Sequence, residues 1–461
     1  AGFGHVVERI RGAIFPEEVD SAPTLSDLEI NEDEEILQPL ATHSWKLFFT
    51  KPAVIVTTFL LVITFGWTRH RWGSISGGAL ASSPHGVSDI WRFFLESWHE
   101  VGMGSNQVAP VWILFVGIGS LLTLGNVPLF ISVFFIAAPF LALWAAYRQI
   151  NKVSTSPVLT AGASLLYALS PISISAINGG HLGVVALLIL LPTFLAILGD
   201  WHEIEKRSAR NLFATALFAW ILIALNPSIL IVVFVATIYF VSRDFLKAEK
   251  NYRDSLFLIR LAKRSILFFI PIVLLLPNSL VYLIHPSRLL LEIGINQAGG
   301  GGNIALLANP GGAGSLPWWS ISPITLLLVM TYFATTQAQK YAAFGAGFLL
   351  SGAVLASFQV SGNGSTSNEN VFAGAFLAIA TYLAVIAAAI LFNDLRSRLE
   401  NSHLNFQHFA VAVVAIISIS YAATASTWVF SAGAASPVQR ASEQVLPAFL
   451  AVESDAKTLV I

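Results

Sequence analysis

Asp89, Glu96 and Glu100 stand close together in one polar loop, with Arg92 and His99 among them. A carboxylate in such a place can take a proton from a hydroxyl, as general-base catalysis requires. Val87, Ile90, Trp91, Phe94, Leu95 and Trp98 recur at helical spacing, and Ser88, Asp89, Arg92, Glu96 and His99 take the other side. The pattern predicts an interfacial amphipathic helix over 87–99, with tryptophan at headgroup depth. Asp89 is the first candidate for the base, because the dipole at a helix start favours an ionised carboxylate. Two plainer readings compete. Asp89 can be a helix cap, and Asp89, Arg92 and Glu96 can form a solvated, ion-paired face.

Three further places carry polar chemistry. His181 follows the Asn178-Gly179-Gly180 turn and opens an apolar stretch. Polar groups at membrane depth face a cavity or a partner, so His181 can hold a phosphate or a hydroxyl, or simply bond the turn. In 285–318, Arg288 is the one basic residue. It can meet a lipid phosphate or serve as an anchor. The same stretch holds Gly299 to Gly302, Asn303 and Gly311-Gly312, then Trp318 and Trp319. Glycine with asparagine predicts a mobile lid, and paired tryptophan suits an interface or a sugar face. The Gly-Lys-Ser/Thr ending of a phosphate-binding loop is missing. Asp200, His202, Glu203 and Glu205 superficially offer metal ligands, but their spacing matches no familiar site, so no metal site is expected.

These residues must be positioned by membrane-embedded helices. The chain is 55% hydrophobic and 11% charged, against about a quarter charged in a soluble domain. Apolar runs fall at 52–67, 109–124, 128–147, 159–176, 181–199, 211–225, 227–242, 264–284, 319–336, 340–360, 371–393 and 409–431. A hydrocarbon core about 30 Å thick needs roughly 20 such residues. The expectation is an all-α polytopic protein with about eleven transmembrane helices. Net charge is −1, which points to no nucleic acid. Cysteine is absent, which excludes disulfides and thiolate metal sites.

Lysine and arginine set the orientation. Loops 148–158, 201–210, 243–264, 337–340 and 394–408 hold 15 of them, while the intervening loops hold one, Arg288. The first set is expected to be cytoplasmic, with the N-terminus, and the C-terminus extracytoplasmic. The seven basic residues of 243–264 can also touch anionic headgroups. Parity then allows only one crossing between 108 and 148. The simplest resolution makes 109–124 a re-entrant or tilted helix; the rival is a full crossing that breaks the charge rule elsewhere.

Residues 1–50 read as a cytoplasmic segment: a short helix, then nine acidic and no basic residues from Glu17 to Glu35, a run that stays unfolded as a linker. Residues 51–431 form the multi-span domain, and 432–461 begin an extracytoplasmic one. The start at Ala1 and the apolar ending at Ile461 both read as cuts within a longer protein.

A family resemblance rests on Asp89-Ile90-Trp91-Arg92, Ser97 to Ser105, Ala109-Pro110, Tyr167 to Pro171, Gly180 to Gly183, and Leu446 to Phe449 with Thr458 to Val460. Over roughly 45–461 the chain resembles the membrane half of large actinobacterial proteins that fuse a cytoplasmic family-2 glycosyltransferase to a multi-span region. That half is in turn similar to the GT-C type of polyprenyl-phosphate-sugar transferases. The resemblance implies a plasma-membrane module in cell-envelope polysaccharide or glycolipid assembly. Its partners would be a polyprenyl-phosphate-linked sugar or glycolipid, the bilayer, and a glycosyltransferase domain upstream in the same chain. By analogy Asp89 would be the base, with Glu96 and Glu100 as substitutes. Arg288 or His181 would hold the donor phosphate, and Trp318 and Trp319 would border the sugar, with Arg92 and His99 nearby. No paired carboxylate stands in the first outer loop, where that type carries its catalytic acid. The sequence requires no cofactor and leaves metal dependence open. The alternatives are a lipid-linked glycan flippase or transporter, and a non-catalytic anchor. No internal repeat and few ionisable residues in the spans weigh against the transporter.

Overall fold

The computed structural model describes residues 51–99, 106–199, 204, 206–247, 255–295, 301–317, 322–332, 336–361, 368–399, 406–432 and 436–440. The expected N-terminal helix and acidic linker, the acidic cluster at 200–205 apart from Ile204, Glu100, Trp318, Trp319 and the tail beyond 440 lie outside the described residues.

The fold is mostly helical, with two small two-stranded sheets. In chain order the helices are α1 (Pro52–Thr68), α2 (Val87–Leu95), α3 (Trp112–Ser120, extended by a 3-10 turn Leu121–Thr123), α4 (Val127–Ile150), α5 (Pro157–Ala168) and α6 (Pro171–Gly179). There follow α7 (Leu182–Gly199), α8 (Ala209–Leu225), α9 (Ile229–Lys247), α10 (Ser255–Leu274) and α11 (Asn278–Ile284). The last are α12 (Gly302–Ala305), α13 (Pro323–Tyr332), α14 (Thr336–Leu355), α15 (Gly374–Leu399) and α16 (Phe406–Ala432). Strand β1 (Ile75–Ser76) pairs antiparallel with β4 (Gln439–Arg440), and β2 (Gln359–Ser361) with β3 (Asn368–Asn370).

Five helices, or seven if two bent pairs each count once, are apolar and long enough to cross a bilayer. The chain therefore reads as membrane-embedded. The finding is smaller than the expected count because α14 opens on the polar run Thr336 to Lys340, and α1, α8 and α13 have only 10–17 residues; the 112–123 stretch, expected to be re-entrant, is short as well. At 1.5 Å per residue these fall short of a core about 30 Å thick. Two expected single spans are broken. Within the expected 159–176 span, Pro171 opens a second helix, α6, bent 40° from α5 and buried along its whole length. The freed carbonyl of Leu169 accepts from the Tyr421 hydroxyl at 2.7 Å, as a broken helix away from water requires. The expected 264–284 span turns by 103° between α10 and α11, where Pro277 interrupts the helical bonding.

Local signals start the helices. Asn126 Oδ1 accepts from the Leu129 amide and Ser156 Oγ from that of Leu159, each with proline in the first turn. The core is organised around α15, which packs on α5, α6, α7, α13 and α14. Its apolar window is 94% buried, against 22% for α9 and 28% for α16. Alanines 378, 380, 384 and 387 on α15 are fully buried, which lets neighbouring backbones approach closely.

The loops gather at two ends. At one end, the Ala79 amide donates to Gly179 O at 2.7 Å and Ile295 N to Ala79 O at 3.0 Å, while β1 holds β4. At the other end, the Asn393 side chain accepts from Thr155 at 2.7 Å, and Lys263 donates to Arg207 O at 2.7 Å. Asp244 and Arg264 meet at 2.9 Å near this end, both buried, as an ion contact without good hydrogen-bond alignment. The 109–125 stretch touches first-end elements on both sides. Val87 N donates to Gly125 O at 3.0 Å, and Asn278 Nδ2 to Ala109 O at 3.2 Å.

Candidate functional site

The first end is built around Asn178, which is 2% exposed. Its Oδ1 accepts from Trp67 Nε1 at 2.6 Å and from Arg71 Nη2 at 2.5 Å. Its Nδ2 donates to Gly314 O at 2.9 Å, and its own carbonyl accepts from Ser436 Oγ at 2.7 Å. One residue thus ties together the end of α1, the α6–α7 turn, the 309–316 loop and the segment before β4. Burial lowers Arg71 to about 10. Backbones meet face to face here: Gly78, at φ +61°, lies so close to Gly179 O that a Cβ would sit 2.1 Å from it, so only glycine fits.

Two cavities open within this frame. The first, of about 650 Å³, is lined mainly by apolar groups including Leu80, Ile90, Phe93, Trp112, Ile131 and Leu182, with Asp89 also on its wall. The second, of about 560 Å³, has a larger polar share: Asn106, Gln107, Asn278, Tyr282, His285, Arg288 and Glu292 line it beside apolar groups such as Val281, Ile284 and Leu291. Trp112, Ile293 and Gly294 belong to both walls. An apolar chamber and a more polar one that bears a cation therefore adjoin.

Asp89 serves as a cap: its Oδ2 accepts from the Gly86 amide at 3.2 Å. The predicted helix over 87–99 is shorter, ending at Leu95, because Glu96 turns into extended backbone. His99 then folds back against the Phe93 ring, centroids 4.3 Å apart. Six residues apart on a continuous helix, the two would not share a face. Among the described residues Asp89, Arg92 and Glu96 form no ion pair with one another, so the expected salt-bridged face is not built. Arg92 and Glu96 are exposed and line neither cavity, and His99 is buried.

His181 does not open into either chamber. Its ring lies flat on Phe372, centroids 3.9 Å apart at 7°. Its Nδ1–H donates to Glu292 Oε2 at 2.6 Å, with both side chains 4% exposed. Arg288 lines the polar chamber, as its candidacy for a phosphate requires. The structure thus brings Asp89 and Arg288 to adjoining chambers and reaches the second through the His181 pair. Where described, the glycine-rich loop is packed rather than a free lid. Asn309 Nδ2 donates to Leu316 O at 3.0 Å, and α12 rests on α14 with Ala305 buried. Among the described residues no three His, Asp or Glu side chains gather as a metal site.

Comparison of the chain with protein-family models finds no match, and comparison with curated proteins finds none either. The functional reading therefore rests on the site itself. Sequence reasoning missed Glu292, Tyr282, His285 and Arg71, and read Asn178 only as part of a turn. Glu292 left one signal: it is the single acidic residue in 285–318, four positions after the single basic one.

Proposed function

We propose that this chain is the membrane module of a glycosyltransferase that handles a polyprenyl-phosphate-linked sugar in cell-envelope assembly. The supporting observation is the junction of the two chambers at Trp112, Ile293 and Gly294. A polyprenyl-phosphate sugar is itself divided in this way. Its chain suits apolar walls, and its phosphate and sugar suit Arg288 with the hydroxyl and amide groups of Tyr282 and Asn278. In this reading the loop end is extracytoplasmic and the N-terminus cytoplasmic. About eleven crossings are completed by the shorter helices through tilt and local thinning, and 109–124 is re-entrant. A carboxylate must take the acceptor's proton. Asp89 is the candidate from sequence, already engaged at its helix start. The resemblance to fused family-2 glycosyltransferases supplies the pathway class, and likeness of fold alone supplies no activity.

The test is transfer from a radiolabelled polyprenyl-phosphate sugar by the full chain in proteoliposomes, beside a flipping assay on the same vesicles. Labelled glycan product is expected. Flipping without transfer makes the protein a flippase, and neither activity makes it an anchor.

A further inference from the structure

The structure assigns the acceptor's proton to Glu292, with His181 as the residue that positions it; the assignment rests on the transfer reading above. Glu292 lines the polar chamber with Arg288. Its Oε2 is held by His181 Nδ1–H at 2.6 Å. Its Oε1 is buried and has no hydrogen-bond partner among the described residues. A buried carboxylate oxygen without a donor is unfavourable, and a ligand hydroxyl would satisfy it. The His181 ring is closely packed. Phe372 covers one face, and at Gly179 a Cβ would come within 2.6 Å of Nε2. The carboxylate is therefore preorganised, one oxygen fixed and the other left for the ligand. Asp89 differs, because it caps its helix on the mainly apolar wall, which Arg288 does not line.

The step balances without a further reactant. The acceptor hydroxyl gives its proton to Glu292 Oε1, and its oxygen forms the new bond to the anomeric carbon. The bond from that carbon to the phosphate oxygen breaks. The electron pair leaves with the polyprenyl phosphate, whose added charge faces Arg288.

The experiment uses the full chain in proteoliposomes, with transfer kinetics and polyprenyl-phosphate binding measured separately. E292Q should lower kcat by roughly 10²–10⁴-fold, the usual worth of a general base, while binding stays within a few fold. H181F keeps a ring on Phe372 and removes the donor. It should lower kcat with KM for the donor unchanged, a split that a merely structural role would not give. E292Q that transfers at the wild-type rate overturns the assignment. If D89N is then the variant that loses transfer, the base is Asp89 and the transferase reading stands. A wild-type protein that binds the lipid and transfers nothing overturns both. Thermal unfolding in detergent checks that E292Q folds. Should it not fold, E292A with added formate takes its place: restored transfer supports the assignment, and failure of formate to restore it despite normal lipid binding overturns it.

Discussion

Replacing Asn178 by alanine should weaken the whole loop end. The change takes a partner from three groups: the Trp67 indole N–H, Gly314 O and the Arg71 guanidinium, which keeps a 3.4 Å bond to Ile177 O. Trp67 and Arg71 are each 1% exposed, so water cannot replace the lost partner. An unsatisfied buried neutral group costs about 1–3 kcal/mol and a charged one more. Gly314 O is partly exposed and contributes at the low end. The total is roughly 4–6 kcal/mol, comparable with the whole stability of many domains. Thermal unfolding of the full chain in detergent should fall by roughly 5–10 °C. A second substitution separates the contributions. Burial lowers Arg71 to about 10, a fall from an arginine's ordinary value that corresponds to about 3 kcal/mol. R71M in the N178A background removes the buried cation and should recover about that much. The sign follows from proton binding. Between the folded and the unfolded value the folded chain binds fewer protons, so this penalty is full below about pH 10 and fades as pH rises further. N178A melting within 1 °C of wild type, or R71M recovering nothing in that background, would refute the reasoning.

Other outcomes follow from single contacts. R288A should raise the Kd for polyprenyl phosphate roughly 10–100-fold, the worth of a charged hydrogen bond, with partial recovery in R288K; vesicle binding measures it. D244A leaves Arg264 buried without its carboxylate and should cost about 3–5 kcal/mol, while the apolar pair D244L/R264M should be close to neutral in the same melt. D89A removes the acceptor for the Gly86 amide and should cost about 0.3–1 kcal/mol, the worth of an acidic group in a first helical turn. F372A frees one face of His181; by the stacking worth of about 0.5–1.5 kcal/mol, kcat should fall by up to roughly tenfold with lipid binding unchanged.

The membrane class and most helix positions were legible because hydrocarbon selects long apolar runs whatever their neighbours. The start of α2 near Val87 was also a local fact. So was the importance of the 178–181 turn and of Arg288, since polar residues among apolar ones are conspicuous. Which helices face lipid was not legible. Helices α9, α15 and α16 are similarly apolar, yet α15 is enclosed and the other two are largely uncovered. All three are apolar enough to cross a bilayer, and packing separates them. The folding back of 96–99 depends on Phe93 meeting His99, a contact no periodicity encodes. Glu292 was overlooked because one glutamate in a long loop has no pattern. Its meaning comes from His181, 111 residues away. The sequence by itself determined the solvent and the supply of polar groups. Tertiary structure alone decided which of them share a chamber, because that depends on distances between residues far apart along the chain.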